Sequence, residues 1–347
     1  MRLVKTEDAV GQVLCHDITQ IIPGEKKGPV FKKGHIVKEE DIPVLLSVGK
    51  EHLYVWELRD ENSALLHENE AAGILKDICM GDSDKMEATG PSEGKIEILA
   101  SSDGLLKVDS EKLKRINSLG GMMIATVHGN FPVRAGDKLA GTRIIPLVIE
   151  KEKMDRAVKE AEGGPVLSLL PFRNIKAGIV TTGNEVALGR IKDGFGPVLE
   201  RKLKEYDVKI LGQKILKDDM VAIRDAVLDF AGTGAELILV TGGMSVDPDD
   251  QTPGAIKDTG AQIVSYGAPV LPGAMFLLAY LSCGDRIVPV MGLPGCIMYA
   301  KRTVFDLVLP RILAGERLSA EDLSSYGEGG LCLSCEECRF PNCGFGK

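Results

Sequence analysis

Apolar positions recur in two rhythms along this chain, and the change between them falls near residue 176. Before it the apolar runs are short and broken by turn residues. The stretch "KEEDIPVLLSVGKEHLYVWEL" predicts a helix closed by Gly49 and then a strand carrying Tyr54 and Trp56. Residues 61 to 79 have helical character, with Leu65, Leu66, Ala72 and Leu75 standing among acids. "ATGPSEGK" reads as a loop, and short strands return in "MMIATV" and "TRIIPLVI", with "NFPVRAGDKLAG" as turns between them. A charged helix beyond Glu150 leads into "GGPVLSLLPFRN", the expected junction to the next domain.

From Lys176 onward, strand and helix patterns alternate. "KAGIVTT", "DVKILGQKI", "AELILVT" and "RIVPVMG" read as buried strands. Between them "GPVLERKLKEY" puts Leu199, Leu203 and Tyr206 on one helical face. "KDDMVAIRDAVLDFA" does the same with Ile223, Val227 and Phe230, capped by Asp218 or Asp219. "TPGAIKDTG" reads as a short helix opened at Thr252-Pro253, and "GCIMYAKRTVFDLVLPRIL" as one long closing helix. The fold class expected is α/β: a doubly wound, mostly parallel C-terminal sheet with helices on both faces, after a smaller mixed region rich in short strands. A chain of 347 residues exceeds one usual core. The expected division is a β-rich region over 1–150 with an acidic helical insert near 60–103, a linker helix over 151–175, an α/β domain over 176–315 and a cysteine-rich tail over 316–347.

Composition narrows the class. With 44% hydrophobic and 27% charged residues the chain is an ordinary globular one. Its apolar runs are too short to cross a bilayer, and "MRLVKTEDAVGQVL" lacks the apolar stretch of a signal peptide, so a soluble cytoplasmic protein is expected. Between Asp60 and Asp103 eleven acids face three lysines, which accounts for the whole net charge of −8. No basic face for nucleic acid remains, and the acidic block reads as a solvated helical face.

Candidate chemistry gathers at strand ends. Three glycine turns follow predicted strands: "TTGNE", with Thr182, Gly183 and Asn184; "TGGMS", with Gly242, Gly243 and Ser245; and "GLPG", with Gly292, Pro294 and Gly295. In an open parallel sheet such ends share one edge, where ligands bind. Glycine admits a phosphate to the backbone, and a helix start points N–H groups at an anion. Carboxylates fall on the same edge: Glu185, Asp218, Asp247, Asp249 and Asp250. Beside a phosphate they imply a bridging divalent cation, and Mg2+ suits oxygen ligands. The plainer alternatives are a helix cap at Asp218, Asx turns at Asp247 or Asp249, and a structural turn at "GLPG". All five histidines precede residue 130, and no Ser-His motif is present. The tail carries Cys332, Cys335, Cys338 and Cys343 as C-x2-C-x2-C-x4-C, near the ferredoxin spacing; an iron–sulfur cluster or Zn2+ is expected there, with a mobile thiol tail as the alternative.

"GIVTTGNEV…GRIKDGFGPVLERKL", "LKDDMVAI", "TGGMSVDPDDQTP", "PVLPGAMF" and "GLPGCIMY", in that order, resemble the molybdopterin-binding domain of molybdenum cofactor biosynthesis. That domain occurs in molybdopterin molybdotransferases and adenylyltransferases. The resemblance covers about residues 176 to 315, and "FKKGHIVKEEDIPVLLSVGKEHLYV" is also similar to a molybdotransferase segment. It implies a transferase acting on adenylylated molybdopterin with Mg2+, inserting molybdate and releasing AMP, and it implies a homodimer. By motif, Glu185, Asp218 and Asp250 take the metal places, and Asp218 and Asp250 the catalytic ones. Gly242, Gly243 and Ser245 line the phosphates, with Pro272-Gly273 and Gly292 to Gly295 completing the pocket. Asn184 stands where many relatives have an acid. Residues 1 to 60 lack the "S-x-x-D-G-Y-A" segment of molybdotransferases, and "IKDGFG" lacks an Asn that usually follows its Asp. A non-catalytic molybdopterin carrier or sensor, and a nucleotide pyrophosphatase on the same domain, are the rival readings.

Overall fold

The computed structural model describes residues 1–22, 26–56, 64–245, 247 and 250–347. It has two compact units that interleave in sequence: one of residues 1–99, 109–127 and 138–167, the other of 100–108, 128–137 and 168–347. In the first, Arg2–Lys5 pairs antiparallel with His52–Val55, and Leu14, Leu45, Leu53 and Val55 form a small core. Among the described residues, the acidic block is helical over Glu68–Met80. Past it, Lys95–Ala100 is a strand that buries Ile96, Ile98 and Ala100 in strict alternation. That strand is second in a four-stranded sheet ordered Met86–Ala88, Lys95–Ala100, Lys138–Ile144, Met122–Thr126. Residues 57–63, where the acidic run begins, lie outside the described residues.

The second unit holds a six-stranded sheet. Its strands are β1 (Lys176–Thr182), β2 (Lys209–Leu216), β3 (Leu237–Thr241), β4 (Gln262–Tyr266), β5 (Leu277–Cys283) and β6 (Arg286–Leu293), in spatial order β2-β1-β3-β6-β5-β4. β1 is parallel to β2 and β3, and β3 to β6, whereas β5 runs antiparallel to both β6 and β4. The helices are α1 (Asn184–Ala187), α2 (Gly196–Lys204), α3 (Met220–Gly232), α4 (Thr252–Asp258) and α5 (Val304–Leu313), with a short helix over Ala320–Ser324 after them. The sheet is therefore α/β and mostly parallel. The long closing helix expected over residues 295–313 divides instead: Gly295–Met298 is a 3-10 turn, and α5 restarts at Thr303, whose side chain accepts from Phe305 N–H while Asp306 caps back.

Alternation along each strand explains why the apolar runs are continuous. Ile179, Leu237, Leu239 and Met291 face one side, with Leu199 and Leu203 of α2 and Phe305 and Ile312 of α5. Val180, Ile238, Val240 and Val290 face the other, with Ile223, Val227 and Phe230 of α3 and Ile256 of α4. Both faces are covered over β3 and the middle of β1, β5 and β6, so positions there are apolar or, as at Thr181 and Thr241, buried and hydrogen-bonded. α3 packs so tightly on β1 that a Cβ on Gly178 would stand 2.4 Å from the Phe230 ring.

The α3 cap is Asp219, whose Oδ1 accepts from Ala222 N–H at 2.7 Å. Asp219→Ala is expected to lower the stability of this unit by about 1 kcal/mol. Urea unfolding followed by circular dichroism checks it, and an unchanged midpoint contradicts the assignment.

Candidate functional site

Strand register sets the site. Thr182 is opposite Leu216, Thr181 opposite Thr241, and Thr241 opposite Leu293, so β1, β2, β3 and β6 end side by side. Leu277 of β5 pairs with Gly292 and with Tyr266 of β4, which brings the 267–276 connection, including Pro272 and Gly273, to the same edge.

The first turn is held across the sheet. Gly183 N–H donates to Leu216 O at 3.1 Å, and Asn184 N–H donates to Asp218 Oδ2 at 3.0 Å. Asp218 thus fixes the turn after β1, leaving the cap to its neighbour Asp219. Glu185 lies on the exposed one-turn helix α1.

The second turn is held by carboxylate, phenol and hydroxyl groups. Ser245 N–H donates to Asp250 Oδ2 at 2.8 Å. Tyr266 Oη donates to Met244 O at 3.0 Å. Its partial burial, with the Asp250 charge adding, pushes the phenol above its ordinary value and keeps it a donor. Thr252 Oγ1 donates to Gly242 O at 2.7 Å and lies 3.4 Å from Thr182 Oγ1. Gly242 has φ +86°, and a Cβ there would sit 2.1 Å from Thr182 O. Its lack of a side chain is what allows β1 and β3 to converge. Asp249 lies outside the described residues.

The remaining predicted residues divide. Gly295 opens toward free space and Pro294 starts the 3-10 turn. Gly292 is interior to β6, where a Cβ would meet the Met244 side chain at 2.6 Å. Gly273, at φ +132°, packs against Val304, whose N–H donates to Pro272 O at 3.2 Å. These two glycines serve close packing. Among the described residues, no three His, Cys, Asp or Glu side chains come together as a ready metal cage.

Two polar residues at this edge stand outside the predicted site set: Gln213, and Asp193, the Asp of "IKDGFG". Gln213 Nε2 donates to Thr181 Oγ1 at 2.8 Å and to Asp193 Oδ2 at 2.6 Å. Asp193 Oδ1 also accepts from Phe195 N–H at 2.8 Å and Gly196 N–H at 3.2 Å at the start of α2. The run Asp193 to Pro197 is a helix-start signature that the sequence displays. Gln213 carries no such signal.

Comparison with known proteins bears on the same region. Residues 178–314 match the family model described as "Probable molybdopterin binding domain", and residues 3–57 match a domain of unknown function. A CinA-like protein of Mycolicibacterium vanbaalenii is 45% identical over 78 residues, 22% of this chain and 18% of that protein. A molybdenum cofactor biosynthesis bifunctional protein of Synechococcus elongatus is 33% identical over 85 residues, 24% of this chain and 27% of the relative. The chain thus spans about a quarter or less of the length of these curated relatives. The crystal structure of the tungsten cofactor synthesizing protein MoaB from Pyrococcus furiosus aligns at 22% identity and TM-score 0.32, over 36% of this chain and 84% of that one. No helix among the described residues is long and apolar enough to cross a membrane.

Proposed function

With residues 178–314 forming a domain of the molybdopterin-binding family, we propose that the protein is a Mg2+-dependent, molybdopterin molybdotransferase-like enzyme. Its substrate is adenylylated molybdopterin, and AMP leaves as molybdate is taken up. The observation that carries this reading is the pair Asp218 and Asp250. They stand after neighbouring parts of one sheet edge, and each is aimed by a backbone N–H of a glycine turn.

A carboxylate that accepts from the backbone is held in one orientation. Asp218 and Asp250, with Glu185 on α1, offer oxygen donors only, which fits a hard cation. They form no complete cage, and Mg2+ needs none, since one or two carboxylates plus substrate phosphates commonly complete its shell. When bound, the ion would neutralise charge on the phosphates as their bond to AMP breaks. The chain's own groups do the rest. Gly242 and Gly243 let a phosphate reach the main chain, Thr252 and Tyr266 hold that turn rigid, and Thr182 closes its floor.

The test is to incubate the purified protein with adenylylated molybdopterin and Mg2+, with and without molybdate, and to measure AMP. Release that depends on molybdate is the expected result. Release indifferent to molybdate points to a nucleotide pyrophosphatase on the same domain. Tight binding without release identifies a carrier or sensor, the reading favoured by the missing "S-x-x-D-G-Y-A" segment.

A further inference from the structure

We propose that Cys332, Cys335, Cys338 and Cys343 hold an iron–sulfur cluster in a cavity built by the segment that follows Gly330. All four thiols line this one cavity of about 750 Å3, which is walled elsewhere by Pro272, Tyr299, Lys301 and Arg302.

The segment is clasped at both ends. Before the cysteines, Leu271 N–H donates to Gly330 O and Cys332 N–H to Leu271 O, each at 2.8 Å, so the chain pairs with the Pro272 loop. After them, Phe345 is buried, and Gly346 N–H donates to Gly329 O at 2.8 Å. A Cβ on Gly346 would strike Leu307 at 2.4 Å. Phe340 stacks at 5.7 Å on Phe131 and at 6.1 Å on Phe345, with the Arg302 guanidinium 5.2 Å over its ring. Between the clasps, residues 333–343 contain no helix or strand. A loop this long, fixed at both ends and without a core of its own, gains order chiefly from a cross-link, and a metal centre supplies one.

The choice of iron–sulfur cluster over a zinc ion rests on spacing and room. Structural zinc takes two separated cysteine pairs and, at a Zn–S distance near 2.3 Å, draws its four sulfurs to within about 4 Å of one another. Here three cysteines follow at intervals of two residues, as in ferredoxin runs. All four cysteines border one cavity with the volume to admit a cluster. Four thiolates on a cluster also bring negative charge. Lys301, Arg302 and Arg339 line the cavity beside Glu336 and Glu337, and Lys301 Nζ donates to the backbone carbonyls of Cys335, at 3.4 Å, and Glu336.

The experiment uses the full chain, purified without oxygen and incubated with ferrous iron, sulfide and a thiol reductant, then desalted. The expected result is retained iron and acid-labile sulfide in near-equal amounts with visible charge-transfer absorption. A Cys335→Ser/Cys338→Ser double variant, altered at exposed positions, should retain at least tenfold less iron with an unchanged far-UV circular dichroism spectrum. Cys283→Ser, outside the tail, should retain it fully. Iron retained by the double variant, no iron retained by the parent chain, or uptake of one zinc without sulfide each overturns the proposal. None of these readouts requires a pterin, so they stand apart from the transferase reading.

Discussion

An Asp250→Ala protein is expected to release AMP from adenylylated molybdopterin at least about a hundredfold more slowly than the parent chain, a transition-state loss of roughly 3 kcal/mol or more. Two contributions vanish together. The carboxylate that would face the phosphates through a cation is gone, and Ser245 N–H loses the acceptor that sets its direction at 2.8 Å. Asp250→Asn separates them, because its amide oxygen still accepts from Ser245 while the charge is absent. If charge is what matters, the asparagine variant should be nearly as slow as the alanine one, and raising Mg2+ should recover part of the rate. An asparagine variant as fast as the parent would show that the metal assignment is wrong. Both variants should keep the parental unfolding midpoint to within about 1 kcal/mol of stability, since the turn remains tied by Tyr266 and Thr252.

The largest loss of stability is expected from Asp306→Ala, at about 3–5 kcal/mol. Asp306 takes Lys202 Nζ on both oxygens, at 2.7 and 2.8 Å, and the two side chains are only 3% and 5% exposed. Arg302 Nη1 reaches Oδ1 at 2.9 Å, and Thr303 N–H reaches Oδ2 at 2.8 Å to cap α5. Removing the carboxylate strands a buried ammonium that keeps only the Lys301 carbonyl at 3.1 Å. Lys202→Met should cost clearly less, because Asp306 then retains Arg302 and the cap, and methionine fills the lysine stem's space. Thermal and urea unfolding of both variants checks the order. A loss below about 1 kcal/mol for Asp306→Ala, or the reverse ranking, contradicts this account of the α2–α5 contact.

The strand–helix alternation after Lys176 could be read from the chain because each strand there is a short apolar run ended by glycine or aspartate. What it could not convey was direction. β5 and β6 look alike in composition, and a strand buried on both faces has the same apolar run whichever way it points; the tight Gly284 connection makes them an antiparallel hairpin. "QIVSY" and "LLAYLSC" are strands outside that reading, since no helix separates them from each other or from β6. The break before α5 was hidden because apolar residues continue through Ile297 and Met298, while the true start lies in the Thr303–Asp306 capping box. At the edge, the three glycine turns do meet, since parallel register guarantees that strand ends coincide. The roles within them were less legible. Asp218 and Asp219 are adjacent and chemically identical, and only the backbone angle at the start of α3 decides which one caps and which reaches Asn184. Gly292 resembles a turn glycine in sequence, but the approach of Met244 across the sheet makes it a packing position.

The double burial of the sheet also governs how this domain tolerates change in length. Ile179 and Val180 point into opposite layers, each already filled, so losing one residue from β1 would exchange the two sets of contacts at once and leave neither satisfied. Natural or engineered insertions should therefore accumulate in the solvent-facing links, such as the Gly284 hairpin far from the glycine turns, and be purged from the strands. A library of single-residue deletions scored by soluble expression would trace β1, β3, β5 and β6 as four intolerant windows.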